Sequence, residues 1–192
     1  MIRVFLIPNC LFQSRALRCA LLGFVTLFTA SVVQAELRDP STYFFHSGFG
    51  DLKEEAETAK ADGQQGVLLM FESDDCPFCT RMKNEVLNRS EVQDWYRERF
   101  RILMINVDGD LDITDFDGNT VAEKDFAFKH NRVRATPVFV FFNTEGERLA
   151  RYTGATSGIE EFMLLGRYVA DGHHKESSFT KFKRAQRDAA AP

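Results

Sequence analysis

Two stretches of this 192-residue chain, Val67 to Phe71 and Pro137 to Phe142, are apolar without interruption. Neither alternates with polar residues, so each reads as a strand buried on both faces. Such a strand needs a layer of helices on either side. The intervening segments supply them. Asp51 can cap a helix running to about Ala61, with Glu54 and Glu55 in its first turn and Asp62-Gly63 at its end. Pro77 suits the first turn of a helix reaching about Leu87. Ser90 with Gln93 has the spacing of a capping box, opening a helical stretch through Phe100. Arg101 to Val107 is the next strand and Val121 to His130 a helix. Asn143-Thr144-Glu145-Gly146 is a turn, from which Glu147 to Thr153 returns as a hairpin strand. Ser157 to Ala170 is a helix with Ile159, Phe162, Met163 and Leu165 to bury. Strand–helix–strand units imply a parallel pair with a right-handed crossover, and the hairpin adds antiparallel strands. The expected fold class is α/β, a mixed β-sheet flanked by helices on both faces.

Composition agrees with a globular domain. Apolar residues make up 44% and charged residues 27%, which excludes disorder, collagen and a multi-span membrane protein. The formal charge of −4 argues against a general nucleic-acid binder. Nineteen Phe against one Trp point to a core filled with Phe.

Residues 1–35 differ from the rest. They hold Arg3, Arg15 and Arg18 and no acid, and Cys19 to Val33 is an uncharged, mostly apolar run. Val33-Gln34-Ala35 ends it with a small residue where a signal peptidase cuts. Basic region, apolar region and small-residue site together make a secretory signal, and the run is short for a membrane span, which needs about 20 residues. Neither Cys10 nor Cys19 follows the small residue that a lipoprotein signal needs. Cleavage after Ala35 is expected, leaving a domain over residues 36–172 that opens on an irregular lead-in from Glu36 to Gly50, and a polar, basic tail over residues 173–192. Three of the 24 basic residues and none of the 28 acidic ones lie in the first 35, so residues 36–192 carry a net −7. Their cysteines number two, Cys76 and Cys79. An exported chain of this length can bury its own core without disulfide staples, so one close pair points to chemistry.

Cys76-Pro77-Phe78-Cys79 lies between an expected strand and an expected helix, which makes the spacing informative. Backbone N–H groups at a helix N-terminus favour an anion, which stabilises the Cys76 thiolate and makes it a nucleophile. Cys79 falls within the first turn, close enough to close a disulfide and more buried. Other uses of the pair fit less well. A structural zinc site needs four ligands, and His173-His174 lies 94 residues beyond Cys79. Attached haem needs His after the second Cys, where Thr80 stands. A purely structural disulfide across so small a ring contributes little chain-entropy stabilisation.

With these residues in place, the chain resembles the thioredoxin superfamily over roughly Asp51 to Ala170. Three local matches carry the resemblance: the strand Val67 to Phe71 leading into the Cys pair, Thr136-Pro137 before the second apolar strand, and Gly154-Ala155 after the hairpin. In spacing and secretory start it is most similar to bacterial periplasmic thioredoxins, including the SoxW type encoded with sulfur-oxidation systems. The residues alone leave Pro137 open between a trans proline that opens a strand and a cis proline. The resemblance implies the cis form. It also implies that the Thr136 backbone lies beside the Cys pair, ready to add to an extended substrate strand. Pro77 and Phe78, between the cysteines, complete the implied substrate-binding set.

Two positions depart from that pattern. Many thioredoxins carry a buried Asp six residues before the first Cys as a proton relay, and Met70 stands here. Glu72 falls on the same side of a regular strand and is a candidate relay; the alternative is a solvated or paired carboxylate. The usual Trp before the first Cys is Asp75, which with Asp74 places negative charge beside the thiolate and opposes the helix effect. That flank argues against a very strong oxidant.

Asp108, Asp110 and Asp112 alternate like a calcium loop, but Ile113 occupies the required Gly position and Asn119 the place of the final Glu. A solvated acidic loop from Asp108 to Thr120 is expected. The tail is expected to be a frayed end, the alternative being a short helix docked on its own domain or on a partner. The expected function is that of a monomeric periplasmic thiol–disulfide oxidoreductase. It would reduce disulfides of proteins or thiol carriers through Cys76 and Cys79, without cofactor or metal, and be recharged by a membrane electron donor. The alternatives are an oxidant or isomerase using the same residues, or a non-catalytic binding module.

Overall fold

The strand β1, Gly66–Glu72, is the axis of the structure. It lies between β2 (Phe100–Asn106), to which it runs parallel, and β5 (Val138–Asn143), to which it runs antiparallel. β6 (Arg148–Thr153) adds antiparallel to β5, giving the order β2-β1-β5-β6. This is a computed structural model, and it describes residues 36–48 and 50–190. The secretory segment expected over residues 1–35 lies outside the described residues. The described residues form one compact unit.

β1 is buried from Gly66 through Phe71, as an uninterrupted apolar run requires. Alternation sends its side chains into two cores. Val67, Leu69 and Phe71 pack with Leu52 and Ala56 of α1 (Leu52–Ala61) and with Phe126. Leu68 and Met70 pack on the other face with Phe139 and Phe141 of β5. The same core takes Cys79 and Met82 of α2 (Pro77–Glu85) and Tyr96 of α3 (Ser90–Arg99). α4 is a single turn, Glu123–Asp125, and α5 (Ile159–Ala170) completes this core with Phe162 and Leu165. The core is built on Phe: Phe44, Phe71, Phe100, Phe139, Phe141 and Phe162 are all fully buried. Each such ring contributes about 1.5–3 kcal/mol by burial. α3 and α5 approach closely because Gly166 has no side chain, since a Cβ there would meet Trp95 at 2.4 Å. Tyr96 stacks on Phe162 with ring centroids 4.4 Å apart, and its hydroxyl donates to the Phe162 carbonyl.

The mixed sheet and helices on both faces match the expectation, with local exceptions. Asp51 caps α1 as expected, its carboxylate accepting from Glu54 N at 2.9 Å. Ser90 and Gln93 do not form a capping box: Arg89 is the N-cap residue of α3, with no side-chain cap. Gln93 is wholly buried, and its amide donates to the Leu87 and Arg38 carbonyls, tying the lead-in to the α2–α3 junction. The acidic loop contains a small hairpin, β3 (Asp112–Thr114) against β4 (Thr120–Ala122). The expected helix over 121–130 is therefore shorter: β4 takes its first residues, and α4 passes into a π-helical turn at Phe126–His130.

The tail is not frayed. After a 3-10 turn at His173–Lys175, residues Phe179–Ala189 form α6, capped by the Ser178 hydroxyl. Phe182 is buried, and Phe179 packs against Tyr152 and Tyr168. Lys183 pairs with Glu161 of α5 at 2.5 Å. Burial alone raises the Glu161 carboxyl, but hydrogen bonds from Lys183 and Ser157 outweigh it and hold it at about 2.

The lead-in, expected to be irregular, makes a π-helical turn at Pro40–Phe44 and then runs beside the edge of β2. His46 N donates to the Ile102 carbonyl at 2.7 Å, and His46 Nδ1 accepts from Ile102 N at 3.0 Å. That bond needs an unprotonated Nδ1. Burial, with Arg97 and Arg101 nearby, lowers the imidazole to about 4. The unfolded chain therefore takes up a proton near pH 6.5 that the folded chain refuses until about pH 4. This contribution to stability is complete above pH 6.5 and is lost as pH falls to about 4. Thermal unfolding followed across that window should show a falling midpoint. His46→Gln should flatten the slope, and an unchanged slope would refute this role for His46.

Candidate functional site

β1 delivers the chain to the site. Its last residue, Glu72, is followed by a short loop, and Cys76 is the N-cap of α2, with φ −119° and ψ 93°. Pro77 takes the first helical position, where its missing N–H costs nothing. Cys76 and Cys79 are joined by a disulfide, S–S 2.05 Å with Cα atoms 5.2 Å apart. The Cys79 backbone N–H points at the Cys76 sulfur at 3.1 Å. This is the anion-favouring environment of a helix N-terminus. Cys76 is 7% exposed and Cys79 2%, so the expected order of burial holds. Phe78, between them, is 59% exposed, with the Arg81 guanidinium 5.8 Å from its ring centroid.

The second segment is the turn before β5. The Thr136–Pro137 peptide bond is cis. Ser73, in the loop that leads to Cys76, shares a 3.0 Å hydrogen bond with the Thr136 hydroxyl. The third segment joins the same place. Gly154 N donates to the Pro137 carbonyl at 2.8 Å, with φ +97°. Two residues on, the buried Thr156 offers its carbonyl to Arg81 of α2 at 3.3 Å, and its hydroxyl lies 3.5 Å from Met82 Sδ. Three segments far apart in sequence thus meet around the first turns of α2.

Met70 is fully buried in the core that contains both cysteines. Glu72 follows it on the same face and forms an ion pair with Lys83 of α2 at 2.7 Å. Its side chain is 15% exposed. Glu72 is thus a paired carboxylate, its partner Lys83 lying on the helix that carries Cys79. Asp74 accepts from the Asn106 side-chain amide at 3.1 Å, and Asp75 is exposed. Lys83, Ser73, Arg81 and Thr156 were not singled out by the sequence. Lys83 carried a faint signal, standing one helical turn beyond Cys79.

The acidic loop is organised from within. Asp115 is buried, and its carboxylate accepts from the backbone of Asp117 and from Asn119. Burial raises the Asp115 carboxyl, but these bonds outweigh it and leave it below its ordinary value. Asp110 pairs with Lys124, while Asp112 belongs to β3. A cavity of about 500 Å³ lies along β2, lined by His46, Glu55, Met104 and Leu111, away from the cysteine pair.

A disulfide at a helix N-terminus, with a cis-proline turn hydrogen-bonded to the loop that leads into it, is the arrangement of the thioredoxin fold. The family model described as a thioredoxin-like domain matches residues 52–170, and the chain belongs to that family. Among solved structures, it is similar to a thioredoxin-fold protein from Helicobacter pylori, with 19% identity and a TM-score of 0.57. That match covers 77% of this chain and 94% of the other. It is also similar to the DsbH oxidoreductase, with 19% identity, a TM-score of 0.50, and 74% and 90% of the two chains covered. A disulphide-isomerase homologue from Bacteroides thetaiotaomicron, described as putative, matches at 21% identity and a TM-score of 0.50, covering 75% and 99%. These likenesses establish the fold. No curated protein matches the chain.

Gly154 holds the Pro137 carbonyl from a backbone conformation with positive φ. A side chain there finds open space, so the positive φ is the whole cost. Gly154→Ala should lower stability to urea by about 1–2 kcal/mol. No change in the midpoint would mean that the turn holds another conformation.

Proposed function

We propose that the chain is an exported thiol–disulfide oxidoreductase that reduces disulfides of proteins or thiol carriers. The observation that carries this reading is the Cys76–Cys79 disulfide at the start of α2, whose preceding loop is tied by Ser73 to the cis Thr136–Pro137 turn. Starting from the reduced pair, the Cys76 thiolate attacks one sulfur of a substrate disulfide. The substrate S–S bond breaks, its other sulfur leaves as a thiolate and takes up a proton, and a Cys76–substrate disulfide forms. Cys79 then gives up its proton and attacks the Cys76 sulfur. The second substrate thiolate leaves, and the Cys76–Cys79 disulfide remains. Two electrons have passed to the substrate, and no cofactor is needed.

Each site residue has a role in this scheme. The α2 N–H groups stabilise the Cys76 thiolate. Thr136 offers its N–H and C=O to an extended substrate segment. The exposed Phe78 ring and Pro77 supply an apolar rim. Glu72 receives the Cys79 proton, standing in for the carboxylate missing at Met70. Asp74 and Asp75 oppose the helix effect on Cys76 and favour reduction over strong oxidation. The composition of residues 1–35 supports export to the periplasm, where a membrane electron donor recharges the pair. Among the described residues, no helix is long and apolar enough to cross a membrane. The chain acts as a monomer, with no nucleic-acid partner.

Insulin reduction tests the reading. Cys76→Ser should abolish turnover, and Cys79→Ser should accumulate mixed disulfides visible on non-reducing gels. Absence of any trapped adduct would remove the mechanism, and a binding module would give no turnover at all. Glu72→Gln should slow resolution of the mixed disulfide about ten-fold or more at neutral pH. Its pH–rate profile should also change, whereas a merely structural ion pair would lower stability and leave that profile alone. Equilibration with dithiothreitol should place the couple nearer the roughly −270 mV of thioredoxin than the about −120 mV of DsbA. A value at the oxidising end would reverse the direction of electron flow.

A further inference from the structure

The helix α6 leaves one face unused by the fold. Its apolar side chains turn inward: Phe182 is buried, and Phe179 packs edge-on against Tyr152 at 5.6 Å. At about 100° per residue, Lys181, Arg184 and Arg187 fall on the opposite half and Lys183 on the flank beside the Phe rings, and all four are exposed. Asp188 is the only acid in the helix. Lys183 also reaches back to Glu161, and Arg187 lies 3.5 Å from Asp188. Lys181 and Arg184 form no ion pair among the described residues. Charge is divided sharply along the chain. Residues 173–192 carry five basic and two acidic side chains, whereas residues 36–172 carry a net −10.

We propose that this face of α6 docks on an anionic lipid surface. The side-chain set favours a bilayer over a protein. Protein interfaces are built around a buried apolar centre, and here the two Phe rings are already engaged with the domain. What remains is a row of long cations with no apolar anchor. It attracts negative charge without demanding shape, and so suits a laterally uniform sheet of headgroups. Each Lys or Arg held at such a surface raises partitioning about five-fold. The acidic remainder of the domain is repelled by the same surface over a Debye length of about 8 Å. Attraction at one end and repulsion elsewhere fix an orientation with α6 against the lipid. Adsorption involves neither cysteine. Its usefulness rests on the proposed function, because it confines the search for a membrane electron donor to two dimensions.

Residues 36–192, which contain the whole described fold, should co-sediment with mixed phosphatidylglycerol–phosphatidylcholine vesicles but not with phosphatidylcholine alone. Binding should disappear when salt is raised to about 0.5 M. The combined Lys181→Ala, Arg184→Ala and Arg187→Ala substitutions should weaken binding at least about ten-fold. Circular dichroism of that variant should match the parent, since none of the three side chains is buried. Binding without lipid preference, or binding unchanged in the variant, would overturn the proposal. So would salt-sensitive self-association without lipid binding, which would make the acidic surface of a second copy the partner. Insulin reduction in solution should be equal for parent and variant, so a failure of adsorption and a failure of the redox reading register separately.

Discussion

The rest of the structure depends on the burial of β1 from both sides. A strand with no polar face forces a helical layer above and below it, and those layers are what place a helix N-terminus at its end. The two cores that meet across β1 share no side chain, yet both are fixed by its backbone. Cys76 therefore stands on a support held from two directions. The loop from Ser73 to Asp75 is short enough that the position of α2 follows from that of β1.

The disulfide pair is local in sequence, but its surroundings are not. Ser73, Thr136 and Gly154 come from three connections that the sheet order brings together, because β5 is the antiparallel neighbour of β1 and β6 the neighbour of β5. The cis proline turn is braced on one side by a hydroxyl pair and on the other by the Gly154 N–H. Below it, Met70 occupies a place that is wholly apolar, and the nearest charge on that face of β1 is Glu72, neutralised by Lys83. The charged pair on this face thus lies at the end of the strand and not in its middle.

Much of this was legible in the sequence. Apolar runs located the strands, Asp51 and Pro77 located helix starts, and the Cys spacing located the disulfide pair, since each depends on neighbouring residues alone. The family resemblance added the cis state of Pro137, which local residues leave open. What escaped notice depends on partners distant in sequence. Gln93 matched a capping pattern, but its amide found two carbonyls of the lead-in junction instead. The tail looked solvated because its charges outnumber its apolar residues. Two Phe rings and one ion pair with a buried Glu161 nonetheless dock it. The β3–β4 hairpin stayed hidden because three-residue strands leave almost no period to read.

His46 has a consequence for how the sheet ends. β2 is an outer strand, and outer strands present unpaired N–H and C=O groups to any passing chain. At Ile102 both groups are occupied by one residue of the lead-in, through its backbone on one side and its ring on the other. Four residues further on, the Asn106 N–H is directed to the Glu123 carboxylate. A foreign strand aligning with β2 would have to displace a histidine and a glutamate that belong to the same molecule. This edge is in that sense self-terminating: the segment that precedes α1 in sequence also seals the border at β2.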